Sequence, residues 1–257
     1  MRTVATQSAT PPPPGGTSPR VAAIIPAYNE EARIGVVLQA LTASGAVDEI
    51  IVVDDGSTDG TAEAARRVPS VQVVTLPRNG GKGGAMREGA TRTQADVLLF
   101  FDADLIGLTP AHVRDLLVPV CGGEATMAMG IFRGGRFWTD MAQTFAPAIT
   151  GQRAIRRAVF LQIPDLEKVG YGIELAINDF VHRQGLVRRD VTLRGVTHPM
   201  KEEKLGWARG VASRARMYGQ MLRFRLSLRR EPKKTKRGSK NATRNGTGKK
   251  NGTGKRG

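Results

Sequence analysis

The sequence has very little cysteine and no long apolar run, and each of these absences excludes a class of protein. Cys121 is the single cysteine among 257 residues, so the chain cannot form an internal disulfide, which agrees with a reducing compartment. No apolar stretch approaches the roughly 20 residues with which a helix crosses a bilayer. The N-terminal residues contain no apolar segment typical of a secretory signal. We therefore expect a cytoplasmic protein.

Positive charge is in excess and is concentrated towards the C-terminus. The formal net charge is +16, from 39 Lys and Arg residues against 23 Asp and Glu residues. Residues 231–257 hold ten of the basic residues and one acidic residue, with almost no apolar side chains. We expect this tail to be disordered, and we expect the same of the Pro-rich residues 1–19.

Strands and helices alternate over about the first 100 residues, as in a doubly wound, mostly parallel α/β sheet. Buried strands are predicted at 21–25, 48–53, 71–76 and 97–101, and helices at 29–44, 61–68 and 81–93. Asn29 is predicted to cap the first helix and Gly45 to end it.

The second half of the chain is predicted to add further helices and strands. Thr109 and Pro110 are typical of a capped helix start. Beyond that helix, strands are predicted at 125–132 and 187–196, helical pieces near 138–145 and 152–161, and helices at 171–184 and 207–228. The last of these helices combines an apolar stripe with many Arg residues, so it either lies on an anionic membrane or packs on the domain.

The predicted strand at 97–101 leads directly into two acidic residues, Asp102 and Asp104. Ligands bind beyond the carboxyl ends of buried parallel strands, and alternation along an extended chain places Asp102 and Asp104 on one side. Two carboxylates on one side are typical ligands for Mg²⁺ or Mn²⁺. A solvated Asp-Ala-Asp turn is the alternative.

Other loops of the predicted sheet carry residues suited to a phosphorylated ligand. The glycine-rich residues 80–84 open a helix, so their N–H groups could cradle phosphates while Lys82 adds a positive charge; a flexible turn is the alternative. Asp54 ends a strand and could accept hydrogen bonds from a base or ribose, whereas Asp55 and Asp59 are more typical of turn caps.

Two residues of the C-terminal half are candidates for the same site. His198 follows a late strand and could be a nitrogen ligand for the metal, although a lone histidine is more often structural. Glu174 lies on a half-apolar helix, where it could be a buried acid that faces the pocket. A solvated glutamate is the default on such a helix.

Four stretches of this sequence together resemble the family 2 type of glycosyltransferases, which have the GT-A fold. They occur in the family's order and spacing over about residues 20–200, and they are IIPAYNEE at 24–31, VVDDGSTDGT at 52–61, GGKGGAMREG at 80–89 and FFDADL at 100–105. Within the family, the chain is similar to glucosyl-3-phosphoglycerate synthases and to polyprenyl-phosphate glycosyltransferases. It departs from the former after His198 and has nothing matching the C-terminal membrane helices of some of the latter.

The resemblance implies a role for each matching residue. Asp102, Asp104 and His198 would serve a divalent metal, either Mg²⁺ or Mn²⁺. Glu174, Asp104 and Lys82 would be catalytic, with Glu174 facing the acceptor or the reacting sugar and Lys82 approaching the diphosphate. The nucleotide sugar would be held by Pro26, Ala27, Tyr28, Glu30, Asp54, Lys82 and Asp102. The basic candidates for an anionic acceptor are Arg133, Arg136 and Arg153.

The expected activity is metal-dependent transfer of a hexose from a nucleotide sugar, with UDP-glucose as the best guess. The acceptor implied first is 3-phosphoglycerate. A polyprenyl phosphate at the inner membrane surface is the alternative acceptor, and a homodimer is compatible with either. Family 2 members invert the anomeric configuration whereas the phosphoglycerate enzymes retain it, so both outcomes stay open.

The basic tail suggests a function of a different class, namely nucleic-acid binding. Lys and Arg residues of 231–257 could bind phosphates non-specifically, but the tail lacks aromatic residues for base stacking. Nucleic-acid binding would also leave the four motifs unexplained, so we expect no specific nucleic-acid partner. The expected organisation is a glycosyltransferase domain at 20–200 and a basic amphipathic helix at 201–230, between the disordered segments 1–19 and 231–257.

Overall fold

The computed structural model describes residues 18–133 and 150–199. Four of the predicted segments therefore lie wholly or almost wholly outside the described residues: the N-terminal arm, the helical piece near 138–145, the helix at 207–228 and the basic tail. Of the predicted glycosyltransferase domain, residues 20–133 and 150–199 are described.

Seven strands of the described part form a single sheet, in the order β3-β2-β1-β4-β6-β5-β7. Every neighbouring pair is parallel except the two that involve β6, which runs against both β4 and β5. The strands are β1 Val21–Ala27, β2 Glu49–Asp54, β3 Val71–Thr75, β4 Val97–Phe100, β5 Met127–Arg133, β6 Arg153–Arg156 and β7 Arg188–Arg194. The predicted mostly parallel α/β fold is thus confirmed.

Helices connect the strands and cover both faces of the sheet. They are α1 Ile34–Ser44, α2 Thr61–Arg66, α3 Lys82–Thr91, α4 Pro110–Cys121, α5 Arg157–Phe160 and α6 Ile173–Arg183, with 3₁₀ turns at Leu166–Lys168 and Gly170–Gly172. Across the described ranges, no helix is both long enough and apolar enough to cross a membrane.

The core consists of two apolar layers, one on each face of the sheet. Alternate residues of β1 enter different layers: Ala23 and Ile25 pack with α1 and α4, whereas Ala22 and Ile24 pack with α3 and α6. This alternation is what a pleated strand covered on both faces requires. Burying each isoleucine contributes about 1.5–3 kcal/mol, so the layers hold the strand ends in fixed relative positions.

The first helix begins later than predicted, and Asn29 does not cap it. Asn29 has a left-handed backbone, with a φ of 56°, and its side-chain oxygen accepts a hydrogen bond from the Thr58 N–H at 2.9 Å. Because that oxygen serves the loop after β2, the helix starts at Ile34 with Arg33 as its N-cap. The predicted end is confirmed, since Gly45 is left-handed at a φ of 61°.

The predicted helical piece at 152–161 is wrong over its first half. Residues 153–156 instead form β6, which lies between β4 and β5, and only the following four residues are helical. Arg153, Ala154 and Ile155 are completely buried. Pairing on both edges and covering on both faces therefore outweigh the local helical preference of this segment.

Candidate active site

The carboxyl ends of the parallel strands bring most of the predicted site residues to one edge of the sheet. Ala27 of β1 is in register with Asp54 of β2, and β4 ends at Phe100, just before Asp102. Because β6 is antiparallel, its first residue Arg153 lies opposite Phe100 at this same edge. Residues that are far apart in sequence thus meet where doubly wound folds bind their ligands.

Asp102, Asp104 and His198 form a compact group at this edge. Each offers one ligand atom, and these atoms lie within 4.8 Å of one another. His198 Nδ1 is 3.0 Å from Asp104 Oδ1, and His198 Nε2 is 3.6 Å from Asp102 Oδ2. Two carboxylates with one imidazole are a donor set suited to Mg²⁺ or Mn²⁺, so these residues fit a divalent cation.

A short bridge between two loops brings His198 to the acidic pair. Ile106 and Thr197 exchange two backbone hydrogen bonds, of 2.9 Å and 3.0 Å. Gly107 follows with a φ of 77° and lies against the Gly195 carbonyl oxygen so closely that a Cβ atom would collide with it. The bridge therefore sets the register between the loop after β4 and the loop after β7.

The Lys82 ammonium lies between two carboxylates. Its Nζ is 2.6 Å from Asp102 Oδ1 and 2.7 Å from Glu174 Oε1. Burial by itself would lower the pKa of Lys82, but Asp102 and Glu174 outweigh burial and raise this pKa above the usual lysine range. The Glu174 side chain is only 12% exposed and is paired with Lys82, so it is not the solvated glutamate that is the default on such a helix.

The carboxylate and imidazole of the acidic group also have perturbed pKa values. Burial alone would raise the pKa of Asp102, but Lys82 and His198 hold it below the usual range. Burial would lower the pKa of His198, whereas its hydrogen bond to Asp104 and the charge of Asp102 raise it. Binding of a cation to the imidazole therefore competes with its protonation.

Two further residues lie in the site that were not predicted to belong to it. Gln152 is completely buried, and its Nε2 donates a hydrogen bond to Asp102 Oδ2 at 2.9 Å. A Cβ atom at Gly151 would lie 2.5 Å from Lys82 Nζ and 2.6 Å from both Asp102 carboxylate oxygens. Gln152 fell inside the piece predicted to be helical at 152–161, and Gly151 directly precedes that piece.

The three arginines predicted to bind an anionic acceptor do not form one described surface. Arg133 is exposed at the end of β5, and Arg136 lies outside the described residues. Arg153 is completely buried, and its Nη2 donates to the Thr150 carbonyl oxygen at 2.5 Å. Burial lowers the pKa of Arg153 against the opposing charges of Glu174 and Asp102.

The residues predicted to hold the nucleoside lie at the ends of β1 and β2. Pro26 and Ala27 end β1, and Tyr28 follows with 45% of its surface exposed. The Glu30 N–H donates to Thr61 Oγ1 at 2.8 Å, which joins this loop to the start of α2. Asp54, 2% exposed, ends β2 beside them.

The acidic residues at and after the end of β2 differ from one another in their hydrogen-bonding roles. Asp54 caps its own turn by accepting from the Ser57 N–H at 3.1 Å. Asp59 is a turn cap as predicted, accepting from the Thr61 N–H at 3.0 Å. The same prediction for Asp55 is wrong, because its carboxylate accepts from the N–H groups of Gly80 and Gly81, at 2.8 Å each. These two N–H groups, expected to cradle phosphate, are therefore already occupied.

Comparison with known proteins matches residues 22–165 to the model of glycosyl transferase family 2. The chain is 30% identical over 193 residues to glucosyl-3-phosphoglycerate synthase of Mycobacterium tuberculosis, an alignment covering 61% of this chain and 59% of that protein. It is also 38% identical over 100 residues to dolichyl-phosphate beta-glucosyltransferase of Mus musculus, covering 33% and 31%. The chain thus spans less than two thirds of the length of each relative.

Solved structures of the mycobacterial synthase share this fold. The structure in complex with Mn²⁺, UDP and phosphoglyceric acid superposes with a TM-score of 0.65 at 27% identity, covering 84% of this chain and 80% of that one. Another contains Mg²⁺ and UDP, with a TM-score of 0.59 at 27% identity, covering 80% and 85%.

Proposed function

The chain belongs to glycosyl transferase family 2, and from this premise we propose that it transfers glucose from UDP-glucose to 3-phosphoglycerate. The observation that carries the proposal is the arrangement of Asp102, Asp104 and His198 beside the Lys82 ammonium at the carboxyl edge of the sheet. The similarity to a synthase whose structure contains Mn²⁺, UDP and phosphoglyceric acid supports this donor and this acceptor. Its location would be the cytoplasm.

The donor would lie across the ends of β1, β2 and β4. The nucleoside would contact the residues that end or follow β1 and β2, namely Pro26, Ala27, Tyr28, Glu30 and Asp54. Asp102 and Asp104, with His198, would hold Mg²⁺ or Mn²⁺ next to the diphosphate. When bound, the cation stabilises the charge that grows on the leaving diphosphate.

Lys82 would add a second positive charge at the leaving group. Its raised pKa keeps it an ammonium, and its position between two carboxylates fixes it before the donor arrives. A charge that is held in place stabilises the transition state without first having to reorganise. Lys82 would therefore favour departure of the nucleoside diphosphate.

The acceptor would approach from the side of Glu174. Its hydroxyl must be placed in line with the sugar–phosphate bond and must lose its proton during transfer. Glu174, held by Lys82, would face the acceptor or the reacting sugar. Arg133, Arg136 and Arg153 would contribute positive charge towards an anionic acceptor, with Arg153 acting from beneath the surface because it is buried.

A screen of nucleotide sugars against two acceptors tests this proposal. The full chain would be incubated with Mn²⁺ and each donor, together with 3-phosphoglycerate or a short polyprenyl phosphate, and the products identified by mass spectrometry. We expect glucosyl-3-phosphoglycerate from UDP-glucose. If no donor yields that product while the protein is folded, the proposed acceptor is wrong.

The second candidate is transfer to a polyprenyl phosphate, in which case the enzyme would work at the inner face of the membrane. It is favoured by the similarity to dolichyl-phosphate beta-glucosyltransferase. That alignment has a higher sequence identity than the alignment with the synthase, but it covers fewer residues. A glycosylated lipid product in the same screen would select this candidate.

A further inference from the structure

Asp55 is a buried acid that reaches from one loop to another. It follows β2 and is only 3% exposed, and its own N–H donates to the Ala27 carbonyl oxygen at the end of β1, at 2.8 Å. Its Oδ1 accepts from the Gly80 N–H and its Oδ2 from the Gly81 N–H, at 2.8 Å each. Both carboxylate oxygens are thus committed to the loop that precedes α3.

A close approach of the two backbones accompanies these hydrogen bonds. Gly56 has a φ of 70°, and a Cβ atom there would lie 2.7–2.9 Å from backbone atoms of Arg78 and Asn79. Glycine is required at this position both for its backbone angle and for its lack of a side chain. The loop after β2 and the loop before α3 are therefore locked together at two adjacent residues.

The locked loop ends where the lysine of the site begins. Gly81 turns the chain with a φ of 88°, and Lys82 is the first residue of α3. Gly83 lies against the Leu166 carbonyl oxygen without room for a Cβ atom, so the first turn of the helix is confined on this side as well. Asp55 thus holds the chain immediately before the residue whose ammonium contacts Asp102 and Glu174.

We propose that Asp55 is a positioning residue, which fixes Gly80 and Gly81 so that Lys82 reaches the diphosphate of the donor. The inference rests on the proposed function, because it gives Lys82 a role in transfer. It also places the diphosphate at the lysine side chain rather than at the glycine backbone, since the carboxylate already occupies the two N–H groups and repels a phosphate there.

A double-mutant cycle between Asp55 and Lys82 tests this proposal. We expect Asp55→Ala to lower kcat on the order of 10²-fold, which is the cost of a misplaced catalytic group. Asp55→Asn keeps one acceptor oxygen, so we expect it to lower kcat only about tenfold. In a Lys82→Ala background the same Asp55→Ala change should lower kcat less than about threefold, because residues acting through one another are not additive. Asp59→Ala is the control, since Asp59 is in the same loop but contacts Thr61 and Glu31 instead; its kcat should stay near the wild-type value.

Two results would overturn the proposal. One is that Asp55→Ala lowers kcat by the same factor in the Lys82→Ala background as in the wild type. The other is a raised KM for UDP-glucose with unchanged kcat, which would place Asp55 on the nucleoside itself.

A measurement that needs no turnover separates this inference from the proposed function. We expect the Gly80 and Gly81 amides to exchange with deuterium slowly in the wild type and at least tenfold faster in Asp55→Ala, which removes both acceptor oxygens. Equal exchange rates would disprove the contact even if the enzyme is active. Conversely, faster exchange in a protein that transfers no sugar would leave the contact standing and reject the proposed function alone.

Discussion

Charged residues of the site neutralise one another in pairs. Lys82 lies between Asp102 and Glu174, and His198 is paired with Asp104. Their side chains are between 12% and 39% exposed, and breaking such a partly buried pair leaves one charge uncompensated. Single substitutions here should therefore affect ligand binding strongly, and conservative replacements are the more informative ones.

Asp104 provides the first test at this scale. Asp104→Ala removes one of the two carboxylates and leaves His198 without its 3.0 Å partner. We expect it to abolish metal-dependent donor turnover. We also expect calorimetry to show Mn²⁺ binding weakened by at least about tenfold, because even the loss of a group that only supports a metal ligand has a cost of this size. The far-UV circular dichroism spectrum should be unchanged. Wild-type activity with Mn²⁺ would show that Asp104 is not a ligand.

Gly151 provides the second test. The Cβ atom of Gly151→Ala would meet Lys82 Nζ at 2.5 Å and the Asp102 carboxylate at 2.6 Å, so the ends of these side chains must shift. We expect a loss of turnover on the order of 10²-fold, measured with saturating Mn²⁺.

Gly35→Ala is the matched control for Gly151→Ala. Nothing lies within 4 Å of its added Cβ atom, and it should stabilise α1 by up to about 1 kcal/mol without changing turnover. Unchanged turnover in Gly151→Ala would mean that the present positions of Lys82 and Asp102 are unimportant for catalysis.

At the scale of elements, helix starts and loop bridges hold the strand ends in place. The capping box of α4 is the clearest case: Thr109 Oγ1 accepts from the His112 N–H at 3.4 Å, and His112 Nδ1 accepts from the Thr109 N–H at 3.2 Å. Pro110 at the first helical position adds a pre-set backbone angle. This helix follows the loop that carries Asp104, yet its cap lies outside the acidic group.

Thr109→Ala separates stability from activity. Losing a threonine N-cap costs about 1 kcal/mol, which lowers the melting temperature by about 2–4 °C in a chain of this size. We expect that shift in differential scanning calorimetry, with turnover at 25 °C unchanged. A Thr109→Ser variant, which keeps the hydroxyl, should melt close to the wild type. A large loss of turnover in Thr109→Ala would show that the cap supports the site as well.

For the whole molecule, the basic residues of 231–257 raise the question of location. These residues carry ten basic side chains and almost no apolar ones, so they can contribute little to a core. Each basic residue near an anionic membrane contributes about 1 kcal/mol of attraction, which is screened by salt. The tail could thus affect where the protein binds without affecting how stable it is.

Deletion of residues 231–257 tests both statements together. We expect the melting temperature and the turnover of soluble substrates to stay close to those of the full chain. In co-sedimentation with anionic liposomes, pelleting of the full chain at low salt with release at high salt would favour the lipid-linked acceptor. The deletion variant would then show whether the tail or residues 201–230 carry the attraction. A full chain that stays in solution at low salt would argue against surface attachment and favour the soluble acceptor.

Periodicity and strand-end chemistry in the sequence determined the architecture and one side of the site. The apolar runs predicted the four N-terminal strands, all of which are present. Because parallel strands end at one edge, the positions of Asp54, Asp102 and Lys82 after such runs were enough to bring them together. These features depend on contacts within an element, so they can be read from neighbouring residues.

Only the tertiary structure decided which side chains pair across the site. Glu174 and Lys82 are 92 residues apart and His198 and Asp104 are 94 apart, and each pair meets because helices and loops pack in one particular register. The same holds for the insertion of β6 and for Asp55, which contacts Gly80 instead of capping its own turn. Local propensity carries no information about such partners, because their energy arises from burial and from hydrogen bonds that exist only once the layers have packed.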